Sequence, residues 1–326
     1  MVPPLHVVAL ASLLGCVACD HASTGNTTLQ PTPAPATSAT ALRSEPALPT
    51  SSSTTPAPGD ALLVVLSRQG LSLGRDGATL AVPDVDTAMW SRGFDGKYKQ
   101  TSRNDYYLVP LGSALQAAYP GEASVPAVGI AADRAMSYRM LTETLYTLGQ
   151  ERVQTVSLLV GSSGGKAAIA LTQPGRLGAH APLSDGARLA LQQLVTGGGD
   201  ASAPRVSPRP AAASANAQPS ELTLGLNVIV TGVGFVVSAA GQRIALGCHA
   251  AGGGVAVPKR GDAYDFAALT TCATAVKSSD ARFAAETHVT VTADAKVDVQ
   301  TLVSTIDALR GAGGSLCPDV SLGVPR

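Results

Sequence analysis

From Val289 to Leu309 the chain reads VTVTADAKVDVQTLVSTIDAL. Valine alternates with threonine, Ala-Asp breaks the pattern, and apolar residues then recur every third or fourth position. The alternation of Val289 and Val291 with Thr290 and Thr292 predicts a strand with one buried face. Val299, Leu302, Ile306 and Leu309 predict a helix with one apolar stripe. Residues 128–148, VGIAADRAMSYRMLTETLYTL, repeat this pattern without a gap at an offset of 161 residues, with Tyr138, Leu141, Leu145 and Leu148 as the stripe. Ser137 and Asp298 stand at the expected N-caps. Asp133 and Asp294 fall in the preceding turns, where a short carboxylate bonds backbone amides.

The repeat extends further. Residues 64–81 align with 228–245, and 156–160 with 320–324, both at an offset of 164. Glycine-broken aliphatic strands open each copy as a hairpin. Helices are predicted over 105–119 and 264–277. Each copy therefore reads β-β-α-β-α-β, and the predicted fold is α/β of the α+β kind: two tandem copies of a two-layer sandwich. The first copy continues through Gly161–Gln173 into a hairpin and an extra edge strand. A repeat of this length is one structural unit used twice.

The pattern V-x-[IV]-x-A-D followed by a Leu/Val-striped helix and a final strand resembles the periplasmic domain of the ExbD/TolR family. Residues 292–325 carry the closest likeness. The resemblance implies a biopolymer-transport setting, an envelope protein partner of ExbB, TonB or Tol type, and pairing of domains as a homodimer or as an intrachain pseudo-dimer. Peptidoglycan is the alternative partner that it implies. The chain departs from the family where proton relay takes place: no stretch of about 20 apolar residues is present to carry an intramembrane aspartate. The expectation is thus a binding or accessory protein, not an enzyme, with no cofactor.

The first residues place the chain. Val7–Leu14 is an apolar run of signal-peptide length ending at Gly15-Cys16. Leu13-Leu14-Gly15-Cys16 resembles a lipobox, with Cys16 as the lipidated residue and Cys19 as the alternative, although Met1–His6 holds no Lys or Arg. These residues predict a lipid-anchored protein of the periplasm. The divisions are a signal segment at 1–19, a disordered Ser/Thr/Pro/Ala linker at 20–59, domain 1 at 60–173, a second linker at 174–220 with a short helix at 185–195, and domain 2 at 221–326.

Composition narrows the partners. Lys plus Arg equals Asp plus Glu, 23 each, so no basic face is signalled and nucleic acid is not expected. In an exported chain, Cys248 and Cys272 are the candidate disulfide, two buried thiols being the other reading; Cys317 is the odd cysteine. Cys248-His249 with Cys272 matches no zinc-ligand spacing. The segment 161–167, GSSGGKA, lacks the first glycine and the Ser/Thr of a phosphate loop and joins two strands, so it reads as a hairpin turn. Trp90, Arg92, Phe94 and Tyr98 gather in one long loop of a chain that is 4% aromatic. Two readings stay open for that loop: a recognition surface, or a cover for the end of the core.

Overall fold

The computed structural model describes residues 45–59, 61–74, 79–83, 87–102, 105–120, 127–171, 224–248 and 252–325. The signal segment with Cys16 and Cys19, the first part of the expected tether and the expected helix at 185–195 lie outside the described residues.

The first copy runs β1 (Leu62–Ser67), β2 (Gly70–Gly74), β3 (Thr79–Pro83), α1 (Val109–Ala118), β4 (Ala127–Ala132), α2 (Tyr138–Gln150), β5 (Thr155–Ser162) and β6 (Gly165–Leu171). The second runs β7 (Leu226–Thr231), β8 (Gly234–Ala239), β9 (Gln242–Arg243), β10 (Val257–Pro258), α3 (Phe266–Ser278), β11 (His288–Ala293), α4 (Val299–Arg310) and β12 (Asp319–Leu322). The sheet orders are β3-β2-β1-β4-β5-β6 and β10-β8-β7-β11-β12, with β9 beside β8. This is the mixed α+β sandwich, built twice.

The duplication is visible in the ladders. Leu62 pairs with Val128 in parallel, and Leu226 pairs with Val289 in the same way. Ala127 opposes Thr155 as His288 opposes Asp319. Val64 faces Leu73 across the first hairpin as Val228 faces Val237. A slip of one residue would turn every side chain to the other face, so equal register keeps equivalent residues inside both cores. Both helix stripes are buried: Leu141, Leu145 and Leu148 on α2, and Leu302, Ile306 and Leu309 on α4. Each helix begins as its sequence dictates. The Ser137 hydroxyl accepts from the Met140 amide, and Asp298 accepts from the Thr301 amide at 2.7 Å.

The expected disordered linker at 20–59 needs correction at its end. Residues 45–58 form an extended strap. Gly161 donates its amide to the Pro49 carbonyl at 2.8 Å, and Ser51 donates to Gly161 at 2.9 Å. The Ala168 amide donates to Thr55 O at 2.9 Å, while the buried Ser53 donates its hydroxyl to Ala168 O at 2.9 Å. The strap thus bridges the end of β5 and then the free edge of β6. Composition misses it because its contacts are made by the backbone and small hydroxyls, without the apolar burial that marks a folded segment.

Candidate binding surface at the junction of the two copies

Arg43–Arg326 form one compact unit, and backbone hydrogen bonds join the two copies within it. Tyr138 donates its amide to Val297 O at 2.6 Å, and Val299 donates to Met136 O at 2.8 Å. Gln300 donates to Arg134 O at 2.9 Å, and Arg139 to Ala295 O at 3.3 Å. The offset of 161 residues turns the first bond of each couple into the second. The ribbon is therefore built on a local two-fold relation, with Ser137 opposite Asp298 at its centre. It uses amides in the first turns of α2 and α4, which have no partner inside their own helices.

Side chains break this symmetry. Tyr138, fully buried, reaches Gly323 O at 2.6 Å with its hydroxyl; burial pushes its phenol well above the ordinary value. The corresponding residue of the second copy is Val299, which buries without a polar end.

The strap then ties the first copy to α4. Thr50 donates its amide to Gln300 Oε1 at 2.8 Å and accepts from Gln300 Nε2 at 3.0 Å. The Ser51 hydroxyl and the Ser52 amide donate to the two Asp307 oxygens at 2.8 and 2.9 Å. Beside these contacts lies a cleft of about 380 Å³ bounded by Ser52, Phe266, Thr270, Ser304 and Asp307. This junction offers recognition by hydrogen bonds from backbone and hydroxyl groups.

Asp133 and Asp294 are both structural, by different bonds. Their amides donate equivalently, to Leu66 O at 2.8 Å and Val230 O at 2.9 Å. The Asp133 carboxylate accepts from Ala135 in its own turn, at 2.9 Å, as expected. Asp294 instead accepts from Gly232 at 3.0 Å, which holds the β7–β8 turn.

In the long loop, Trp90 and Phe94 are buried in the core and Tyr98 packs against it half-buried, which leaves Arg92 exposed. The covering role is thus where the structure places Trp90 and Phe94; as a surface, the loop presents Arg92 and part of Tyr98. A buried charge cluster holds this loop. Glu143 on α2, fully buried, meets Lys99 Nζ at 2.6 Å and Arg139 Nε at 2.5 Å, and accepts the Phe94 amide at 2.8 Å. Burial pushes the Lys99 amine down, while the Glu143 charge opposes that shift. Gly93 adopts a φ of +80°, and a Cβ there would sit 2.3 Å from Glu143 Oε1. Arg139 also donates to the Tyr106 hydroxyl at 2.7 Å. In the second copy, position 143 corresponds to Ser304, so the cluster belongs to the first copy alone.

Cys248 and Cys272 are disulfide-bonded, and Cys317 is buried and free. The bond ties the segment after β9 to α3. Burial pushes the Cys317 thiol up, away from reactivity at neutral pH. Among the described residues, no group of three or more His, Cys, Asp or Glu is placed to hold a metal ion. No helix among them is long and apolar enough to cross a membrane.

The strap residues, Gln300 and Asp307, and the Glu143 cluster were not singled out from the sequence. One signal was available. Gln300 and Asp307 replace Arg139 and Tyr146 of the first copy at polar helix positions, where two copies of one fold diverge if their neighbours differ.

Fold and junction together define a class of protein: a duplicated α+β sandwich whose copies are joined by a two-fold-related ribbon. Compared with family models, curated proteins and solved structures, the chain finds no match.

Proposed function

We propose that this chain is a non-enzymatic, lipid-anchored accessory protein of the periplasm, which binds a component of a proton-motive-force-coupled envelope transport system through tandem ExbD/TolR-like domains. The observation that carries the reading is the ribbon. The resemblance implies domains that pair with one another, and here the conserved register of two copies ends in turns whose amides pair across a local two-fold relation. Both Ala-Asp turns are engaged in holding strands, which fits a binding scaffold. The disulfide is compatible with an extracytoplasmic location.

Arg92 is exposed on the loop pinned by Glu143, and it is the natural position for a photo-crosslinking residue. Crosslinking in intact envelopes is expected to recover an ExbB-, TonB- or Tol-type protein; recovery of none argues against the reading. Sedimentation of the purified chain with sacculi would instead move the assignment to peptidoglycan. Mass analysis of the mature N-terminus tests the anchor, with diacylglycerol expected on Cys16, or on Cys19 if cleavage falls later.

A further inference from the structure

We propose that residues 49–56 are a displaceable strand lying in a strand-docking slot, and that an extended, hydroxyl-rich, non-acidic segment of a partner protein takes the same slot once the strap leaves. The slot has three parts. At the end of β5, Gly161 turns its amide and carbonyl to Pro49 and Ser51. At the free edge of β6, Ala168 offers its amide to Thr55 and its carbonyl to Ser53. On α4 of the second copy, Gln300 reads both backbone groups of Thr50, and Asp307 accepts two hydrogens from Ser51 and Ser52.

This is recognition by strand addition: main-chain bonds give affinity and small side-chain requirements give specificity. The requirements can be read from the present occupant. Its sequence is Pro49-Thr-Ser-Ser-Ser-Thr-Thr-Pro56. The inward positions are small, Ser53 being buried, and a hydroxyl faces a carboxylate at Ser51. An acidic residue there would meet Asp307 and be repelled. The strap is held by hydrogen bonds with little apolar burial. Pro49 and Ser53 are buried, whereas Thr50, Ser52, Thr54, Thr55 and Pro56 are exposed, and it touches the sheet at two isolated bridges in place of a continuous ladder. Segments with few buried apolar contacts and exposed backbone bonds open first. The strap precedes β1 with only Ala57–Ala61 between, so it can detach while both sandwiches stay folded. Its departure frees the β6 edge and removes Ser52 from the wall of the cleft between α3 and α4. The inference stands independently of the assignment to any transport system.

The test uses the full chain and a fluorescent peptide of residues 47–58 as probe. Ser51→Pro deletes the amide bonded to Gly161 and the hydroxyl bonded to Asp307. The expected result is that this variant binds the peptide at least ten-fold more tightly than the parent chain, with Asp307→Asn in the same background weakening it. A second variant, Ser51→Cys with Asp307→Cys, locks the strap by a disulfide and is expected to bind no peptide. Hydrogen exchange on the parent is expected to show amides 50–55 exchanging much faster than those of β1 and β4. The proposal is overturned by strap amides as protected as β4, by equal peptide binding to parent and Ser51→Pro, or by no binding to a folded Ser51→Pro chain.

Discussion

Glu143 shows how one buried charge organises a loop. With a fully buried carboxylate bonded to Lys99, Arg139 and the Phe94 amide, removal takes away the one negative charge that both cations share, while Lys99 still reaches Asp105 O and Arg139 the Tyr106 hydroxyl. Breaking a buried pair from one side costs about 3–5 kcal/mol. Glu143→Ala is therefore expected to lower the unfolding free energy by that amount, read as a lower chemical-denaturation midpoint, and Gly93→Ala to be destabilising because its Cβ meets the same carboxylate. An unchanged midpoint in Glu143→Ala would mean that the cluster carries no net stability. Tyr107 makes a second case. Its hydroxyl donates to Glu151 at 2.6 Å, and burial, aided by that carboxylate, pushes its phenol up to about 12 from 10.0. Between these values the unfolded chain releases a proton that the fold retains, so stability falls as pH rises from about 10 to 12. Tyr106 and Tyr138 shift in the same direction by burial. Lys99 opposes them: its lowered value makes the unfolded chain bind more protons below 10.5, so its contribution improves as pH rises towards that value. Tyr107→Phe is expected to lose less stability than the parent across pH 10–12 in thermal melts; identical slopes would remove Tyr107 from the account.

Caps and ladders were the most legible elements. Ser137 and Asp298 could be placed from the sequence because a capping oxygen must precede a striped helix, and both cap as expected. Ser137→Ala and Asp298→Ala should each cost about 1 kcal/mol, read as a lower denaturation midpoint; the Asp298 variant also loses its bond to the Thr301 hydroxyl. The buried face of the strand at Val289 and Val291 followed from apolar alternation, whereas the ladder partners and registers came from the structure alone. The strap was illegible for the opposite reason. A run of Ser, Thr and Pro has no hydrophobic period, and its fixing depends on Gly161, Ala168, Gln300 and Asp307, distant in sequence. Likewise, Asp294 shares its place with Asp133, yet which amide its carboxylate takes depends on Gly232, where the first copy has Arg68. The Cys248–Cys272 pair was a choice between bond and thiols, because spacing alone does not fix the distance of the loop from α3. The bond, closing a separation of 24 residues, is expected to contribute about 3 kcal/mol by chain-entropy reasoning. Reduction under native conditions should lower the melting temperature, and a melt indifferent to reductant would contradict that.

At the scale of the whole molecule, an internal repeat has become a single two-fold-related unit with unequal sides. The ribbon and equal ladder registers preserve the ancestral symmetry, whereas Tyr138 against Val299, the Glu143 cluster and the strap separate the two copies in role. The first copy carries the pinned loop and the extra β6 edge; the second carries the disulfide and the α4 residues that hold the strap. Tyr138→Phe removes the hydroxyl that bonds Gly323 O across the junction, and should cost about 1–2 kcal/mol, seen as loosening between copies before either sandwich unfolds. The central claim is that the copies hold each other, and a cut between them tests it most directly. A protease site is introduced within residues 195–210, between the two copies in sequence, and after cleavage the two fragments are followed by gel filtration with light scattering. The account predicts that they elute together as one 1:1 particle under native conditions; fragments that elute separately, each still folded, would contradict it.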